Sequence, residues 1–321
     1  NRRSTVRARA PLPRPHDAMP YQRENRFMNQ PSKSVALHIG AHKTTTTHLQ
    51  RSFLMQNEAL IRAGVRYYGP DSLRTSGRGI ADLFGLTGGG TTSGRSPVEQ
   101  RDFMLKDGHR LVLSEENFIG VLHDREGRIN APLYPRAQER VAALAEAVDA
   151  GPIDVLVGVR NPASFLVSAY GQALMGGHQI SFDAYLRMNP LSQIYWPGLI
   201  ARMRCIPNVG RITVWRFEEY RWRFHKICAA MMGSDVSIRI KPIPDAIHAG
   251  LSTLAIQHAL AQTDTADFGS TVEQARALYP VSKVYPKFAP FSHAQLTQAE
   301  SDYEQQMDAI ARISDVTILR S

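Results

Sequence analysis

Five short apolar runs, at residues 34–39, 65–68, 110–114, 153–159 and 211–217, constrain this chain most. Helical spacing of apolar positions occupies 46–63, 133–150, 162–175 and 191–204 between them, and 250–263 and 293–313 after them. Strands that alternate with helices argue for a parallel sheet covered by helices. The runs are apolar at nearly every position, as in Ile153–Val159. A sheet buried on both faces requires that pattern. The expected fold is α/β, a three-layer α/β/α arrangement around a central, mainly parallel sheet of about five strands.

Residues 34–321 are expected to form a single domain, and residues 1–33 an Arg- and Pro-rich disordered leader. Residues 1–27 carry seven arginines against Asp17 and Glu24, which is five of the net +9. The body is therefore only mildly basic, enough to favour an anionic ligand but weak as an argument for nucleic acid. Met19 or Met28 is the expected native start, with the residues before it an extension. No apolar run reaches the roughly 18 residues of a membrane span. Cys205 and Cys228 form neither a disulfide framework nor a metal motif, which suits a reducing cytoplasm. A cytoplasmic location is expected, peripheral to a membrane if the acceptor is a lipid. No His/Cys/Asp cluster has metal-ligand spacing, so no metal is expected.

The segment after the first strand reads Gly40-Ala41-His42-Lys43-Thr44-Thr45-Thr46-Thr47, and a helix follows. A buried strand, a glycine turn, a cation and hydroxyls at a helix N-terminus build a phosphate cradle of the P-loop type. The triphosphate loop G-x-x-x-x-G-K-[ST] does not fit, because no glycine immediately precedes Lys43. Two further segments lie at strand ends, where α/β sheets collect ligands. They are Ser114-Glu115-Glu116-Asn117 and Arg160-Asn161-Pro162, with Ser168 eight residues after the arginine. A guanidinium with a hydroxyl suits a second phosphate. The plainer reading pairs Arg160 with a surface carboxylate and makes Ser168 a packing residue. Glu115 and Glu116 could likewise serve only to cap a turn. The Gly- and Thr-rich stretch Thr75–Ser96 is expected to be a mobile loop over substrate. Tyr279–Ser292, with four aromatics and three prolines, reads as an ordered irregular crossing.

The first and third of these segments together resemble the cofactor motifs of sulfotransferases that use 3′-phosphoadenosine 5′-phosphosulfate (PAPS). Gly40–Thr47 resembles their 5′-phosphosulfate loop. Arg160-Asn161-Pro162 with Ser168 resembles their 3′-phosphate site. The His before Lys43 and the Leu49-Gln50 after the threonines look most like a bacterial branch with carbohydrate- and lipid-modifying members. Weaker similarity runs through Leu113–Phe118, Ile194–Arg202 and Thr213–Tyr220, and faintly around Tyr303–Ile310. Thr45 stands where that family's loop usually has glycine. A left-handed backbone would be costly for threonine there; the expectation is that Thr45 already begins the helix.

The resemblance implies transfer of a sulfuryl group to a hydroxyl, leaving adenosine 3′,5′-bisphosphate, with the acceptor a carbohydrate, lipid or small alcohol and no nucleic acid. Lys43 would neutralise the leaving phosphate, while Gly40, Thr44, Thr45, Thr46 and Thr47 line the loop. Arg160 and Ser168 would hold the 3′-phosphate. Glu116 is the first choice for general base, Glu115 the second and His42 the third. If both glutamates face the cleft, their repulsion would raise one pKa. His38 and His48 are expected in core or surface roles. Gly176-Gly177-His178 and Tyr195-Trp196 are weighed as acceptor lining, with packing favoured for the aromatic pair. The alternatives are an ATP-using P-loop small-molecule kinase and a non-catalytic nucleotide-binding module. A kinase would show a G-K-[ST] element and an Mg²⁺-holding Asp at a strand end, and neither is present.

Overall fold

Side chains that alternate in direction along each strand divide the apolar residues between two cores. On β1 (Ser34–His38) Val35 and Leu37 enter one core, while Ala36 enters the other. Leu111 and Leu113 oppose Val112 on β3 (Arg110–Ser114) in the same way. On β4 (Ile153–Val159), Val155, Val157 and Val159 oppose Leu156. Both faces are therefore dry, and each fully buried Val or Leu contributes about 1.5–3 kcal/mol. One core is closed by helices that include Ala137–Val148, Pro162–Met175 and Trp196–Arg204. The helices Thr46–Leu54 and Tyr220–Met232 close the other. The computed structural model describes residues 33–320, apart from 234, 235, 237, 245–249 and 263–266. Apart from its last residue, Lys33, the expected leader lies outside the described residues.

The expected α/β/α fold forms, with six strands. β2 (Val65–Tyr68), β5 (Val209–Arg216) and β6 (Val316–Ile318) complete the order β2-β3-β1-β4-β5-β6, and every pairing is parallel. β6 was not expected: three half-exposed or exposed residues on an edge carry too short a pattern. From β1 the chain passes to the sheet edge as β2, returns beside β1 as β3, and then crosses to the other side as β4, so the connections change direction at β1. Ligand crevices form at such reversals. His38 lies opposite both Ser114 of β3 and Leu156 of β4. The three marked segments therefore leave the sheet side by side.

Helix boundaries differ from the periodicity for local reasons. The helix expected over 46–63 divides into Thr46–Leu54 and Asn57–Arg62, because Leu54 and Met55 face solvent and break the apolar stripe. The one expected from 133 begins at Ala137, after Pro132 and Pro135; prolines cannot donate the N–H that a helix interior needs. Leu191–Gln193 is a separate turn, and the helix Trp196–Arg204 starts with Pro197 in its first turn.

Candidate active site

The loop after β1 presents a row of unused donors. Among the described residues, no group accepts from the backbone N–H of Lys43, Thr44, Thr45, Thr46 or Thr47. Some of these lie in the first turn of the helix Thr46–Leu54, where such donors are normally orphaned. The side chains are turned to other work. Thr44 Oγ1 donates to the Ala41 carbonyl at 2.6 Å, and Thr46 Oγ1 to the same oxygen at 3.4 Å. The Thr44 and Thr46 hydroxyls thus hold the loop's shape and leave its N–H groups unpaired. That shape needs a left-handed backbone at Gly40 (φ 42°), Lys43 (φ 67°) and Thr45 (φ 65°). Thr45 is the N-cap and lies outside the helix, contrary to the expectation that it begins it. A β-branched residue in this region costs about 1–2 kcal/mol. Strain of this kind concentrates at functional sites.

Two glycines admit the loop's close approach. A Cβ on Gly40 would lie 2.8 Å from Thr46 Oγ1, and one on Gly158 of β4 would lie 2.9 Å from Thr44 Oγ1. Gly158 was not singled out from the sequence. A glycine inside an otherwise apolar strand is its available signal.

Lys43 is half-buried, and desolvation lowers its pKa, with Arg160 and Arg276 adding to the shift. Arg160 donates from Nη1 to the Lys43 carbonyl at 2.8 Å and from Nε to Ser164 Oγ at 2.8 Å, and its guanidinium lies 3.9 Å above the Phe217 ring. Burial lowers the Arg160 pKa to about 10. Among the described residues neither cation has a carboxylate at ion-pair distance. A surface ion pair for Arg160 is therefore not found. Its hydroxyl partner is Ser164, one helical turn before Ser168. Ser168 is half-buried on the same helix and makes no hydrogen bond among the described residues. Trp196 is fully buried and donates from Nε1 to the Arg160 carbonyl at 2.7 Å, so it is packing that holds the arginine.

Glu115 and Glu116 meet one guanidinium, supplied by Arg74 from the start of the Gly- and Thr-rich stretch. Arg74 Nε and Nη2 donate to Glu115 at 2.8 Å each, and Nη2 also reaches Glu116 Oε1 at 2.7 Å. Gln50 Nε2 donates to Glu116 Oε2 at 3.0 Å. Burial alone would push the Glu116 carboxyl up. Its own backbone N–H, Arg74 and Gln50 outweigh burial and hold it below the usual carboxylate range. The expected rise from repulsion between the two glutamates is thus reversed for Glu116, because a cation stands between them. Glu115 also accepts from the Asn117 N–H at 2.8 Å, which makes it the cap of the turn Glu116–Ile119.

His42 has no nitrogen to spare. Its Nδ1 pairs with Tyr134 Oη at 3.0 Å, its Nε2 with Asn117 Oδ1 at 2.9 Å, and its backbone N–H donates to the same tyrosine at 3.1 Å. Burial lowers its pKa, so the ring is a neutral strut joining the loop to the β3 turn. Both ring nitrogens are thus engaged in this structure. His38 is buried in the sheet, with Nδ1 2.7 Å from Ser114 Oγ, and His48 packs on Tyr220 and Phe224, as their core and surface assignments imply. Arg74, Gln50, Asn117, Tyr134 and Ser164 were not foreseen. Arg74 and Tyr134 lie far in sequence from the motifs, while Gln50, Asn117 and Ser164 lie in or beside them and gain their partners only on folding.

No family model and no curated protein matches the chain. A solved sulfotransferase from Alicyclobacillus acidocaldarius superposes with a TM-score of 0.41 at 16% identity, over 77% of this chain and 95% of that one. A likeness this shallow weighs on neither fold nor chemistry, which rest on the chain's own geometry.

Proposed function

We propose that this protein is a sulfotransferase that moves a sulfuryl group from PAPS to a hydroxyl acceptor, a carbohydrate, lipid or small alcohol. The observation that carries the reading is the loop itself: among the described residues, five consecutive unused N–H groups lie beside half-buried Lys43 and buried Arg160, neither with a carboxylate at ion-pair distance. That donor set fits a nucleotide bearing two separate anionic groups. Lys43 and the N–H groups would take the 5′-phosphosulfate. Arg160 would take the 3′-phosphate, from the guanidinium edge left after Lys43 and Ser164 are served, with Ser168 one turn on. When bound, the donor supplies an electrophilic sulfur whose bond to the 5′-phosphate oxygen breaks, the electron pair leaving with that oxygen. Glu116 would receive the proton of the attacking hydroxyl. Lys43 and the loop donors stabilise the charge that develops on the departing phosphate.

Among the described residues no group of three or more His, Cys, Asp or Glu could hold a metal ion. Calorimetry tests the reading. Adenosine 3′,5′-bisphosphate should bind without Mg²⁺ and far more tightly than ATP, and Arg160→Ala should remove most of that preference. Equal ATP binding would overturn the proposal. Glu116→Gln should slow transfer about 10²–10⁴-fold while leaving bisphosphate affinity unchanged.

A further inference from the structure

A cavity of about 280 Å³ opens between the segment from Leu73 to Thr87 and the helix Ala137–Val148. Glu115, Arg74 and Asn117 form its inner wall, and Asn117 is the residue that holds His42. The cavity therefore shares its wall with the transfer site. Arg74 Nη2 touches both carboxylates, so a ligand against Arg74 and Glu115 lies one guanidinium from Glu116. Leu73, Ile80, Leu86 and Phe118 give it an apolar wall as well.

Its charges pair off with one left over. Arg74 is held by Glu115 and Glu116. Arg136 holds Glu139 through two hydrogen bonds, at 3.1 and 2.7 Å. Arg140, also on the wall, donates from Nη1 to the Phe118 carbonyl at 2.8 Å and to the Asn117 carbonyl at 3.5 Å, and has no ion pair among the described residues. A half-buried guanidinium fixed through one nitrogen, with its other N–H groups still to be served, is a receptor for a single anionic group. The volume lies at the small end of ligand cavities. It suits one ring or a short chain rather than an oligosaccharide.

We infer that this cavity receives the acceptor, and that the acceptor is a small amphiphile bearing one anionic group apart from its hydroxyl. The apolar body lies against Leu73, Ile80 and Phe118, the anion meets Arg140, and the hydroxyl turns toward Glu116. This assignment rests on the transferase reading for the acceptor's role, but not for binding. Three isosteric probes separate the two: 4-(hydroxymethyl)benzoate, 4-(hydroxymethyl)benzamide and 4-(hydroxymethyl)benzylamine. Ligand-observed NMR and calorimetry without donor should show the benzoate bound about tenfold or more tightly than the amide, and the amine weakest. Arg140→Gln should level the benzoate with the amide, and Ala143→Phe, which fills the cavity, should weaken both. Adenosine 3′,5′-bisphosphate affinity should be unchanged in both variants, which shows that they remain folded. Equal binding of the three probes, or an anion preference that survives Arg140→Gln, overturns the inference. Benzoate binding that depends on Arg140, with no transfer of labelled sulfuryl from PAPS, upholds the cavity as an anion-selective site and overturns the transferase reading instead.

Discussion

Thr45 and Arg74 carry the site's two unusual features at the scale of single residues. Thr45 holds φ 65°, a region that favours glycine. Thr45→Gly should relieve that strain, less the added entropy of the unfolded chain, and stabilise the protein by about 0.5–1 kcal/mol. Urea unfolding that shows a loss of stability would mean that the threonine's contacts outweigh its backbone strain. Arg74 keeps Glu116 ionised below the usual carboxylate range. A base of this kind works above its pKa and fails as pH falls through it. Arg74→Ala should therefore move the acid limb of the pH–rate profile upward, because burial then acts on Glu116 with less opposition. An unmoved limb would assign the acid limb to another group. The motif residues Lys43, Glu116 and Arg160 could be read from type and spacing. Their partners could not: Tyr134 meets His42 across 92 positions, and a separation of that size carries no local signal.

Among the elements, β1 matters most, because it is the strand whose two neighbours bring the other segments to the loop. Its pairing with β3 sets Glu115 and Glu116 on one side of the loop, and its pairing with β4 sets Arg160 on the other. Gly158 near the end of β4 is the point at which strand and loop touch, through Thr44. Gly158→Ala should force Thr44 outward at about 1–3 kcal/mol and weaken bisphosphate binding, while far-ultraviolet circular dichroism stays the same. Unweakened binding would show that the loop tolerates the shift. The strands themselves were legible, since unbroken apolar runs such as Ile153–Val159 have few other uses. Helix ends were less legible, because they depend on exposure at Leu54 and Met55 and on prolines whose effect is positional.

For the molecule as a whole, buried histidines couple stability to pH. Burial lowers the pKa of His38 and of His123 to about 4. The unfolded rings protonate near pH 6.5, so between that pH and about 4 the unfolded state binds protons that the folded state refuses. Stability is full above the window and falls as pH falls through it, by about 3 kcal/mol for His38. Urea midpoints at pH 7 and pH 5 should differ accordingly, and His38→Asn should lose much of the difference. Equal midpoints in the wild-type protein would rule out neutral burial. No helix among the described residues is long and apolar enough to cross a membrane. The sequence alone determined the α/β class, the parallel strands and the glycine turn, lysine and hydroxyls gathered in residues 40–47, because these follow from local periodicity and residue type. The sheet order, the left-handed Thr45, the Arg74 bridge between the glutamates, the Ser164 hydroxyl on Arg160, and the cavity beside Glu115 were decided by the tertiary structure. Each depends on contacts between segments far apart in the chain, whose partners are chosen by packing.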